Sequence, residues 1–313
     1  MTKRAIASGT LSAVIAIGFL QPGTAESQPW VRDSVCPDDN HAAFHECATE
    51  VAGDYEVPRN AYGYPDLSGI WRRRASAHES IEEHVETLDD NGGPSIIVDP
   101  PNGIAPMQPW AEAQRRQNRA QYVHHNAICR LDGVPLTMYM TGTLQFVQNT
   151  DYFLVQGEEA HAYRMIPVDE SRGNHIGDDI RLWNGDSRGY WDGSSLVIET
   201  SNQNARAWLD QRGHFFTDEV QVVEQLTLVD ANTLHYQATL DDPNVYTQPF
   251  TIAFAYRRAD VESWELLEEA CYENNEHARQ RFINVGYEIY PGMTGEEARR
   301  LRAVWEVEEG EAR

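Results

Sequence analysis

Residues 220–240 read VQVVEQLTLVDANTLHYQATL. Taken alternately, Val220, Val222, Glu224, Leu226 and Leu228 share one face of an extended chain, while Gln221, Val223, Gln225 and Thr227 take the other. Asp230-Ala231-Asn232 is turn chemistry, after which 233–240 resumes as a second strand. The segment is therefore an antiparallel hairpin with one apolar face, and that face carries a carboxylate, Glu224.

Strands are predicted on either side of it, over 143–148, 152–156, 162–166, 180–183, 195–200, 250–257 and 264–270. No helical pattern separates them, which excludes a parallel α/β sheet. Turns such as Asn149-Thr150-Asp151 and Trp191-Asp192-Gly193-Ser194 imply a meander, and closing it removes its exposed edges. The expected fold is mainly β: an antiparallel up-and-down barrel of lipocalin-like type over 143–272, with a two-sheet β-sandwich as the alternative. Ahead of it, 26–142 reads as an irregular and helical arm packed on the barrel. Within that arm, 28–66 is extended, helices are expected over 76–88 and 108–122, and a short strand over 95–98. The tail, 273–313, reads as partly helical, most clearly over 296–306.

The chain has 313 residues, with 25 Lys+Arg against 49 Asp+Glu and a net charge of −24. Such a chain repels a phosphate backbone, so nucleic acid is excluded as a partner. Lys3 and Arg4 precede an uncharged apolar run over 5–20, closed by Gly23-Thr24-Ala25, so 1–25 reads as a secretory signal peptide. The run is too short and too polar for a span, and no stable membrane insertion is expected after cleavage. The mature protein is expected to be exported, periplasmic or extracellular.

Export favours disulfides among the four cysteines, for which three pairings are open. The short loop favours Cys36 with Cys47, leaving Cys129 with Cys271 to tie the start of the β region to its end. No zinc-type spacing of Cys or His is present; His124, His125, His175 and His214 are the only credible nitrogen ligands, and neither a metal nor another cofactor is expected.

Glu224 is not alone among apolar neighbours. Glu268 shares a face with Trp264, Leu266 and Ala270, and Arg164 lies in a row with Ala162 and Ile166. Buried charges need partners. Arg164 with the two glutamates is either an ion pair fastening the barrel or an acid/base constellation in its cavity. His175 and His214 fall in loops near the expected mouth, as candidate proton shuttles, and Arg188 or Arg164 is placed to hold an anionic charge. Gly185-Asp186-Ser187-Arg188-Gly189 matches the GxSxG nucleophile pattern, but a turn and a strand follow where that elbow needs a helix. Ser187 is therefore not expected to be a nucleophile, and Asp186 and Arg188 are expected to brace the connection. Trp183, Trp191, Tyr236, Tyr246 and Phe254 are the candidates to line a substrate pocket.

Pro65-Asp66-Leu67-Ser68-Gly69-Ile70-Trp71, the 185–193 stretch and Leu196-Val197-Ile198-Glu199-Thr200 together resemble a large family of exported bacterial proteins of uncharacterised function, whose core motif reads approximately GDSRGRWEGDTLVV. Val222-Val223-Glu224, Asp242-Pro243 with Tyr246-Thr247, and Glu268 with Ala270-Cys271 are similar to its later motifs. The chain departs from the family at Tyr190, Gln225, Tyr272 and Asn274, losing cations and a histidine. The resemblance implies a β-barrel and no substrate.

Two functions are expected from these residues. One is a cofactor-independent acid/base enzyme of lyase, isomerase, cyclase or hydrolase type, acting on a small, partly apolar molecule in the barrel cavity. The other is a non-catalytic lipocalin-like carrier of an apolar ligand. Charges on interior rows favour the enzyme. Nothing in the sequence sets the oligomeric state.

Overall fold

In a computed structural model the described residues are 34–74, 77–87, 91–259, 264–271, 273 and 275–311. The signal-peptide reading lies outside them. Their strands are β1 (Gly69–Arg73), β2 (Ile97–Asp99), β3 (Tyr122–Val123), β4 (Leu144–Gln148), β5 (Tyr152–Gly157), β6 (Tyr163–Pro167), β7 (Asp186–Asp192), β8 (Ser195–Ser201), β9 (Gln221–Asp230), β10 (Thr233–Asp241), β11 (Phe250–Arg258) and β12 (Glu288–Ile289). The helices are α1 (His41–Glu50), α2 (Pro109–Gln121), α3 (Asn275–Asn284) and α4 (Gly295–Glu311).

The main sheet runs β6-β5-β4-β1-β11-β10-β9-β8-β7, and β2 adds to β11. It is an antiparallel sheet nearly closed into a barrel. Every pairing along this path is antiparallel. Nine staves cannot alternate around a ring, so β6 and β7, at the two ends, run the same way. They meet through one parallel bridge, Val168 to Gly189. A Cβ on Gly189 would lie 3.0 Å from Val168 Cγ1 and 3.4 Å from Ile166 Cγ2, so a bare backbone is what lets the ends approach.

The expected hairpin forms from β9 and β10, with Leu226 opposite Tyr236 and Glu224 opposite Ala238. Inward residues fill the barrel. Phe146 meets Phe153 at 5.1 Å between ring centroids, Tyr236 meets Phe254 at 5.0 Å, and Phe254 meets Tyr256 at 5.3 Å. The outer face of β9–β11 is covered as well. Helix α1, capped by Asn40, whose Oδ1 accepts from Ala43 N at 2.9 Å, packs Phe44 and Ala48 on Val229 and Ala255. Cys36–Cys47 staples this helix to its own approach, and Cys129–Cys271 joins the segments before β4 and after β11, as expected. Both bonds fit an oxidising, exported environment. No helix of the described residues is long and apolar enough to cross a membrane.

Several expectations are corrected. The helix expected over 76–88 is absent from its described part, 77–87, because that backbone pairs across the chain: His84 bridges Gly93, and Ile81 O accepts from Ile96 N. No strand forms over 180–183; the Asn202 amide captures Gly177 O and Ile180 O, leaving Leu182 one bridge to Gln203. No strand forms over 264–270 in its described residues either. That stretch is a strap across the outside of β5 and β6, held by side chains, with Leu267 N donating to Glu158 and Ala160 N to Glu269. Strand β1 lies within the stretch read as arm, yet it is a barrel stave between β4 and β11. Strand β7 and helix α1 were likewise unexpected.

Candidate functional site

The residues singled out in the sequence fall into three groups. The first is inside the barrel. Arg164 on β6 reaches across to Glu224 on β9 in a two-pronged pair, Nη1 to Oε1 at 2.9 Å and Nη2 to Oε2 at 2.5 Å. Tyr236 OH donates to Glu224 Oε1 at 2.9 Å, and Arg164 Nη2 also faces Ser187 Oγ at 3.1 Å and Thr200 Oγ1 at 3.4 Å. Glu224 is fully buried and Arg164 nearly so. Burial alone would lower the pKa of the guanidinium, but Glu224 reverses this and holds it above its ordinary value. Glu224 thus points inward onto an arginine, as its row required. Ser187 Oγ lies 2.9 Å from Thr200 Oγ1, with β8 following β7 and no helix behind it.

The second group explains the rest of the GxSxG stretch. Asp186, one residue along β7 from Ser187, faces outward, where Oδ2 meets His175 Nδ1 at 2.9 Å and accepts from Ile176 N at 3.0 Å. Its Oδ1 takes Arg188 Nη1 at 2.6 Å, and Arg188 Nε donates to Asn174 O. Gly185, at φ 64°, immediately precedes β7, where a Cβ would collide with Ser201 O. So Gly185 turns the chain, Asp186 and Arg188 brace the approach, Ser187 joins the interior network, and Gly189 admits β6. His175 belongs to this brace and is only partly buried.

The third group is centred on His214. Trp208 bridges Phe215, and Leu209 N donates to His214 O at 2.7 Å, folding 208–215 into a tight loop. Gly213 turns it at φ 85°, close against Arg115 of α2. Across that loop His214 Nδ1 donates to Asp210 Oδ2 at 2.6 Å, and the carboxylate also accepts from His214 N at 3.1 Å and Ile81 N at 2.9 Å. The opposite ring nitrogen, Nε2, faces Glu82 Oε1 at 3.4 Å. His214 and Asp210 are buried, whereas the Glu82 side chain is 27% exposed. Burial disfavours the imidazolium, yet Asp210 and then Glu82 outweigh it and push the His214 pKa up to about 9. Glu82 is itself shifted below the usual carboxylate range, because the His214 contact overcomes its desolvation. At neutral pH the arrangement is an imidazolium between two carboxylates, and one carboxylate reaches solvent.

More histidines and acids lie around it. The His124 and His125 rings lie 4.1 Å apart, tilted to each other, and His124 packs edge-on against Trp208. His125 Nδ1 accepts from Trp208 N at 3.3 Å, which places its proton on Nε2, 3.6 Å from Asp132 Oδ1. Burial raises Asp132 to about 7 and lowers His125 to about 3. Among the described residues no group of three or more His, Cys, Asp or Glu is arranged to hold a metal ion.

The structure therefore brings Arg164 to Glu224 and His175 to Asp186 and Arg188, and leaves His214 apart from both. Glu268 is corrected: it is exposed on the outer strap, not on an interior row. Of the aromatic candidates, Tyr236, Phe254 and Tyr246 are core residues, with Tyr246 OH donating to Phe215 O at 2.8 Å. Trp191 stacks on Tyr64 at 5.8 Å, and Trp183 lies under the Arg130 guanidinium, so these five do not form one pocket wall. Asp210 and Glu82 were missed. Asp210-Gln211-Arg212-Gly213 was legible as a turn, with its acid four residues before His214, but Glu82 sat in a segment misread as a helix. In comparisons with known proteins, no family model, no curated protein and no solved structure matches the chain.

Proposed function

We propose that the protein is an exported, cofactor-independent acid/base enzyme of the lyase, isomerase, cyclase or hydrolase type. It acts on a small, partly apolar molecule at the barrel mouth, and its proton relay is Glu82–His214–Asp210. One observation carries this reading: a histidine fixed at Nδ1 by a buried aspartate presents Nε2 to a glutamate that reaches solvent. Glu82, ionised and at the outer end, takes a proton from the substrate and hands it back to the departing or rearranging group; His214, buried behind it and already charged, steadies that carboxylate from Nε2; Asp210 fixes the ring and keeps the imidazolium stable. Arg115 braces this loop, its Nη1 donating to Arg212 O at 3.0 Å while Nε and Nη2 hold Glu112.

In this reading Glu224 and Arg164 fasten the barrel, since every group around them is sealed from solvent. The aromatic packing of the interior also weighs against a carrier, which needs an open cavity there. The signal peptide and the disulfides support periplasmic or extracellular work.

The test is to incubate the secreted chain with pooled small-molecule extracts and follow consumption by mass spectrometry. Glu82→Gln and His214→Asn should each lower turnover by about 100-fold or more, the weight of a positioned acid or base. Ser187→Ala should lower it less than about tenfold. Turnover that survives Glu82→Gln and disappears in folded Ser187→Ala would replace the relay by a serine mechanism; retention of a compound without its consumption would favour the carrier.

A further inference from the structure

The strap over 264–271 creates a groove on the outside of the barrel, away from the Glu82–His214 relay. Alternation sets its floor. With Phe153, Val155, Arg164 and Ile166 inside, Leu154 and Gln156 of β5 and Tyr163 and Met165 of β6 face outward, paired Leu154 to Met165 and Gln156 to Tyr163. Leu266, Leu267, Glu268 and Glu269 of the strap, together with Glu158, complete a groove of about 590 Å³. Tyr163 is 66% exposed, Met165 59% and Leu267 61%, an unusual concentration of bare apolar surface.

The groove is held open by bonds that do not depend on an occupant. Cys271 is bonded to Cys129, Glu158 accepts from Leu267 N at 2.9 Å and Thr143 N at 2.7 Å, and Glu269 accepts from Ala160 N at 2.7 Å. Such preorganisation lowers the entropic cost of binding. Its electrostatics are one-sided: among the described residues, three carboxylates and no Lys, Arg or His line it. Glu158 and Glu269 are engaged with backbone donors, and Glu268 stands exposed at the rim. A fatty acid or other anion would be repelled, and a neutral apolar molecule would leave that potential unused. A cation with an apolar body satisfies both, its tail on Leu154, Met165 and Leu267 and its head between Glu268 and the face of Tyr163.

We infer that this groove binds a small apolar molecule bearing one positive charge, of the hydrophobic ammonium class. Glu268, which looked like an interior acid in the sequence, is then a recognition carboxylate.

The test uses the full mature chain and decyltrimethylammonium below its micellar concentration, titrated calorimetrically beside decanoate and decyl maltoside as anionic and neutral probes of equal tail length. The expected result is one saturable site for the cation, at least about tenfold tighter than for either other probe. Glu268→Gln and Tyr163→Ala, both at exposed positions that leave the core intact, should each weaken it by about fivefold. Glu46→Gln, an exposed charge change on α1, should leave it unchanged. Equal binding of the three probes, no saturable site, or an equal loss in Glu46→Gln and Glu268→Gln would overturn the proposal; the last would mean mere attraction to an acidic surface.

Discussion

Two ion pairs in this molecule have nearly the same ingredients and opposite settings. Arg164–Glu224 lies inside the barrel with each carboxylate oxygen bonded and both residues buried. Asp210–His214–Glu82 is equally firm at its inner end and open at its outer one, where Glu82 meets solvent. A sealed pair ties two strands together and cannot meet a substrate without unfolding. A pair sealed at one end only keeps its geometry and can still exchange a proton. Access, rather than charge or burial, separates a fastener from a site.

The largest expected effect tests the sealed member. Glu224→Ala leaves the Arg164 guanidinium buried without its counter-ion and should destabilise the protein by about 3–5 kcal/mol, read from chemical denaturation. Replacing both residues by apolar ones of similar volume should cost far less. If Glu224→Ala were as stable as the parent, the contrast between the two pairs would fail.

The open member should reveal itself through pH. The His214 pKa is about 9 in the folded chain against 6.5 in the unfolded one, so the folded state binds the extra proton. Its contribution is complete below pH 6.5 and is lost as pH rises through about 9, a change of about 3 kcal/mol in all. His214→Asn should flatten that alkaline limb of a Tm-against-pH curve. The acidic limb should remain, because His41, His125 and His235 are held by burial at about 4, 3 and 3 and must be charged on unfolding. An alkaline limb unchanged in His214→Asn would remove the imidazolium from the account.

Ser187→Ala should give the smallest effect, sharpening the comparison from within the sealed network. It deletes one hydroxyl that faces Arg164 and Thr200, and about 1 kcal/mol of stability should go with it. A loss as large as that of Glu224→Ala would mean that the hydroxyl, rather than the carboxylate, carries the network.

The sequence made the barrel legible wherever a strand is buried on one face by its own alternation. Glu224 and Arg164 were found because each breaks an apolar row. Legibility failed where side chains, not ladders, hold the backbone. The alternation at 264–270 looked like a strand, but Glu158 holds Leu267 N of the strap, Glu269 of the strap holds Ala160 N, and Glu268 ends in solvent. The pattern at 77–87 looked helical, but its backbone pairs with 93–96 and with Asp210. That second error hid Glu82, because the loop bearing His214 and the segment bearing Glu82 meet only in three dimensions. Strand β1 escaped for another reason: its pairing partners, β4 and β11, lie far along the chain.

That placement of β1 bears on how the molecule assembles. The meander β7–β11 can zip up hairpin by hairpin from neighbouring residues, and so can β4–β6, yet among the described residues, apart from the single Val168–Gly189 bridge, no backbone pairing joins the two until Gly69–Arg73 slots between Phe146 on one side and Arg258 on the other. Ring closure must therefore wait for almost the whole chain to emerge, and contacts of such long sequence separation are slow to form. Mutations in β1 should act mainly on the rate of folding, with two half-barrels as the species that accumulates when it is delayed.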